Sequence, residues 1–117
     1  MACILRKLQI YVAFTLFVCS ANAAEWATIG AGNATCENWN RATANTKTEI
    51  LSWMAGFSSA ENLHLATEGR PEFRLELLTY DYLRHEIDST CSDSKSKNER
   101  MSSILFRLLA KFPTVKK

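Results

Sequence analysis

Few side chains in this sequence have the means for bond-making chemistry. There are two histidines, four cysteines and a scatter of serines. His64 stands three residues after Glu61, and Glu-x-x-His spacing can put a carboxylate and an imidazole on one helical face as metal ligands. Carboxylate-bridged metal bundles need two such motifs plus further carboxylates, and this chain has one. His85-Glu86 lacks the second histidine of a zinc-protease helix. Both histidines therefore read as partly exposed helix residues. No serine sits in a nucleophile elbow, and no glycine-rich loop offers a phosphate cradle. These residue types point to a non-enzymatic protein without metal or cofactor.

The cysteines have a better use as a staple. Residues 1–23 carry the marks of a cleavable export signal: Arg6 and Lys7, then an apolar run from Leu8 to Val18, then Ala21-x-Ala23 as the cleavage site before Ala24. The run is about 11 residues, too short to span a bilayer as a helix, so no stable membrane anchor is expected. Cys3 and Cys19 leave with the signal, and Cys36 and Cys91 remain. Two cysteines in an exported domain can pair in one intramolecular way. An oxidising compartment, here the periplasm, favours that disulfide. Loss of Arg6 and Lys7 takes the formal charge from +2 to zero. The basic balance thus belongs to the precursor. No lysine–arginine cluster interleaved with aromatics appears, so no nucleic-acid partner is expected.

The remaining chain is short enough that a single core needs such a staple. Residues 24–34, with Gly30 and Gly32, read as an irregular lead-in, and 35–112 as one helical domain. A first helix over 35–44 puts Cys36, Trp39 and Thr43 on one face, followed by a break at Ala44-Asn45. Thr46 to Glu49 has the form of a capping box opening a second helix. Ile50, Trp53, Met54 and Phe57 form its apolar stripe, Glu61 and His64 continue that line, and Gly69 stops it. Gly56 costs helix stability, which predicts a close packing contact there. Pro71 suits the start of a third helix, with Phe73, Leu77, Tyr80, Leu83 (or Arg84) and Ile87 in line and Cys91 at its end. Phe73-x-Leu75-x-Leu77 also alternates as a strand would, and the interleaved Arg74 and Glu76 favour the helix. One of Tyr80 and Tyr82 is expected inside and the other outside. Ser96 to Glu99 repeats the capping-box pattern ahead of a last helix carrying Met101, Ile104, Leu105, Leu108 and Phe112. Pro113 ends it, and 113–117 read as a frayed basic tail.

The expected fold is all-α, a small bundle of three to four helices closed by one disulfide between Cys36 and Cys91. Trp53, Met54, Phe57, Leu105 and Leu108 are its candidate core and apolar binding residues.

Cys36-x-x-Trp39, Trp53-x-x-Gly56-Phe57, Cys91 and the final amphipathic helix together resemble the small exported HdeA/HdeB-type proteins of Gram-negative bacteria, over about Thr35 to Phe112. A similar pattern occurs in the periplasmic amidase-immunity proteins of type VI secretion. The first resemblance implies an acid-stress chaperone: a folded homodimer at neutral pH that opens in acid and binds unfolded client proteins. The charges permit this, because protonating the carboxylates and both histidines takes the processed chain from zero to about +14 and loosens a small domain by self-repulsion. The second implies an immunity or inhibitor protein with one specific secreted enzyme as its partner. Both make the function protein binding.

Overall fold

A computed structural model describes residues 30–116. The expected export signal of 1–23 and most of the expected lead-in lie outside them. Among the described residues there are four α-helices: α1 (Cys36–Arg41), α2 (Ala44–Thr67), α3 (Tyr80–Cys91) and α4 (Met101–Ala110). Short 3-10 turns occupy Gly30–Asn33, Leu75–Leu77 and Ser94–Ser96. No named strand occurs among the described residues; two isolated antiparallel bridges join Thr35 to Arg100 and Phe73 to Thr114.

The disulfide forms as expected. Cys36 at the start of α1 is bonded to Cys91 at the end of α3, with the Cα atoms 5.0 Å apart. Two further contacts fasten the same helices. The indole Nε1 of the fully buried Trp39 donates to Asp88 Oδ1 at 2.7 Å, and Asn40 Nδ2 donates to the Cys91 carbonyl at 3.0 Å. Lys47 lies over the Trp39 ring, 4.9 Å from its centroid, a favourable cation–π position.

Of the four expected helix starts the first holds, and the other three are displaced, each for a local reason. Thr35 and Asn38 form a reciprocal capping box on α1. Helix α2 begins earlier than the Thr46–Glu49 pattern implies. Thr43 caps it by accepting from the Thr46 amide at 3.2 Å, so Thr46 lies inside the helix and Ala44-Asn45 is its first turn rather than a break. The turn between α1 and α2 is made by extended backbone at Ala42 and Thr43. At the far end Gly69 takes φ +68° beyond the last turn, as a helix-stopping glycine does.

The third helix is much shorter than expected. It starts at Tyr80, capped by Thr79, and not at Pro71. The cause is a competing set of partners for the backbone at 72–74. The Asn62 side chain donates to the Phe73 carbonyl at 2.9 Å and accepts from its amide at 2.7 Å. Arg74 donates to the Pro113 carbonyl, and Val115 donates to the Glu72 carbonyl. With those groups satisfied outside any helix, 72–74 stays non-helical, and Leu75–Leu77 forms a 3-10 turn, not the strand that the Phe73-x-Leu75-x-Leu77 alternation also suggested. The same bonds correct the expectation of a frayed tail, since residues 113–115 are pinned to 72–74.

The Ser96–Glu99 box does not form either. Asp93 caps the 3-10 turn over Ser94–Ser96 by accepting from the Lys95 amide, and α4 starts at Met101 without a side-chain cap. The Glu99 carboxylate instead pairs with Arg107. The backbone there has another task. The carbonyls of Glu99 and Lys97 accept from the amides of Cys36 and Glu37, and Met101 donates to the Ala34 carbonyl. Two otherwise orphaned amides of the first turn of α1 are thus satisfied by the segment leading into α4.

The core lies between these elements. Cys36, Trp39, Leu51, Met54, Leu83, Ile87, Met101 and Leu105 are wholly enclosed, each aliphatic side chain contributing about 1.5–3 kcal/mol relative to exposure. Ser58 is also enclosed and donates back to the Met54 carbonyl at 2.8 Å. On α2 the buried line continues to Leu65. His64 is on the exposed side, beside Glu68. Tyr80 and Tyr82 are both exposed; neither is the buried one expected.

Candidate functional site: an aromatic groove

The four-residue spacing of Trp53 and Phe57 on α2 sets their rings side by side. They stack with centroids 5.5 Å apart and an interplanar angle of 26°. Phe106 of α4 meets Phe57 edge-on at 5.5 Å and 77°, an arrangement favoured by the ring quadrupoles. The ladder rests at its Trp53 end on Gly32. A Cβ at that position would lie 2.5 Å from the indole carbons, so only glycine lets the 3-10 turn approach.

Beyond Phe106 the surface opens into a groove of about 350 Å³. Its walls come from four parts of the chain: Glu61 of α2, Arg70 and Phe73 of the following loop, Phe106, Leu109 and Ala110 of α4, and Phe112 and Thr114 of the tail. The loop and the tail are held together by the backbone bonds between 72–74 and 113–115. Asn62 locks the Phe73 peptide from the other side. Tyr82 of α3 meets the Phe112 ring at 5.8 Å. Its phenol is raised above the ordinary range by loss of solvent and, to a smaller degree, by the charge of Glu86. The Arg70 guanidinium at the rim is bonded to Glu68 at 3.1 Å. The lining offers rings, methyl groups and carboxylate–guanidinium charge at its edge, a chemistry suited to holding an apolar group with a polar neighbour.

The residues expected to form core or binding surface divide three ways. Met54 and Leu105 are core and wholly buried. Trp53 and Phe57 are partly buried and form the ladder that leads to the groove. Leu108 is elsewhere, in a smaller depression of about 200 Å³ with Glu86, Thr90, Ile104, Arg107 and Lys111. Gly56 has open space around it, so the close packing expected there is absent and the small residue is needed at Gly32 instead. Phe73, Phe106 and Leu109 were not anticipated as site residues. Phe106 had a legible signal: it is an aromatic off the Met101–Leu105–Leu108 stripe of an amphipathic helix, and it is 39% exposed. Phe73 had none, because its place follows from a tail forty to forty-two positions further along the chain.

Among the described residues no three His, Cys, Asp or Glu side chains converge as a metal site would require, and no helix is long and apolar enough to cross a membrane. No family model, curated protein or solved structure matches the chain.

Proposed function

We propose that this chain is an exported, non-enzymatic protein-binding module that seats an apolar segment of one protein partner in the aromatic groove. One observation carries the reading. Phe73, Phe106 and Phe112, brought together from a loop, a helix and the tail, line an open cavity on a fold whose core is already closed. Exposed apolar surface gathered into a concave site marks an interaction surface more often than chance does. The Cys36–Cys91 disulfide and the Ala21-x-Ala23 pattern support export to the periplasm. The small size of the groove favours a dedicated partner, as an inhibitor or immunity protein has.

The test uses the oxidised protein and its Phe106→Asp variant, both mixed with the exported proteins of the cell that makes it. The reading expects one stoichiometric complex on size-exclusion chromatography for the native protein, lost in the variant while its helical circular dichroism stays unchanged. An identical complex with both proteins overturns the groove.

An HdeA-like acid-stress chaperone is the second reading, and the burial of Met54 and Leu105 favours it in one respect. Those side chains are an apolar store that only an opened fold could present to clients. Suppression of client aggregation near pH 3 and not at pH 7 selects this reading. Absence of suppression at both removes it.

A further inference from the structure

We propose that the groove selects a basic residue carried next to the apolar one, with Glu61 as its counter-charge. The inference deepens the protein-binding reading of the same groove and rests on it. Glu61 is partly buried at the groove wall. No described residue gives its carboxylate a hydrogen bond or an ion pair. Arg70 lines the same groove with its guanidinium held by Glu68. Glu68 thus offsets the charge of Arg70 and leaves that of Glu61 uncompensated among the described residues. A carboxylate drawn out of water gains from a cation brought to it. Phenylalanine faces add to this, since an ammonium or guanidinium group over a ring is attracted by its quadrupole. The occupant that answers both features is a segment of a protein partner in which lysine or arginine adjoins an aromatic or aliphatic side chain.

Three capped tetrapeptides serve as probes, with phenylalanine followed by lysine, glutamine or glutamate. Each is titrated into the oxidised protein while the backbone amides of Phe73, Phe106 and Leu109 are followed by NMR. The lysine peptide is expected to bind about two- to fivefold more tightly than the glutamine peptide, the range for a solvent-accessible ion pair, and the glutamate peptide more weakly still. In Glu61→Gln the lysine peptide loses its advantage over the glutamine peptide and the order collapses. Equal affinities for all three peptides, or an order that survives Glu61→Gln, overturn the inference and leave the apolar groove standing. If no peptide perturbs these amides, both the inference and the groove reading fall.

Discussion

Trp39 is enclosed on every side, and its indole N–H still has an acceptor in Asp88. Leaving a buried donor without a partner is costly, so Asp88→Ala should lower unfolding free energy by about 1–2 kcal/mol, read from urea denaturation followed by tryptophan fluorescence. Asp88→Asn, which keeps an acceptor, should lose less. The glycines give opposite expectations. Gly56 faces open space within α2, so Gly56→Ala should stabilise the protein by about 1 kcal/mol through helix propensity. Gly32→Ala should destabilise it by about 1–3 kcal/mol, because the new methyl meets the Trp53 ring. Paired thermal melts of the two variants decide this. Sequence showed that a small residue mattered in a tight approach and placed it at the wrong glycine. A glycine inside a helix is conspicuous, whereas the crowding at Gly32 exists only once Trp53 has been folded over it.

Elements were legible where their partners are close in sequence and obscure where they are distant. The stripe of α2 and the stop at Gly69 follow from local spacing, as does the stripe of α4. The Pro71 start failed because Asn62 and the tail compete for the backbone of 72–74, and neither competitor is visible in the segment itself. Both capping boxes failed similarly: Thr43 outcompeted Thr46, and the approach to α4 was taken up in satisfying α1. Asn62 should therefore control the whole groove wall. Asn62→Ala removes two partly buried hydrogen bonds and should cost about 2 kcal/mol. Hydrogen exchange should quicken at the Arg74 and Val115 amides, which bond across the loop and the tail, and should be unchanged at the α1–α3 clasp. Equal loosening at both places would mean that Asn62 acts on global stability alone.

For the molecule as a whole, the disulfide is the one long-range covalent constraint among the described residues, joining positions 55 apart. Cys36→Ser with Cys91→Ser should cost about 4 kcal/mol in the chain-entropy description, measured by denaturant unfolding against the oxidised protein. The pairing and the all-helical class could be read from cysteine count and periodicity. The groove could not, because it is assembled from α2, α4, a loop and the tail after folding. The central claim is that the closed fold binds a protein partner through that groove. Its most direct test is a photo-crosslinking amino acid placed at Phe106, with Glu37 on α1 as the control position, in the oxidised protein inside the cell that produces it. The account predicts one adduct of defined mass from position 106 and none from position 37. Adducts of equal yield from both positions, or none from position 106, would contradict it.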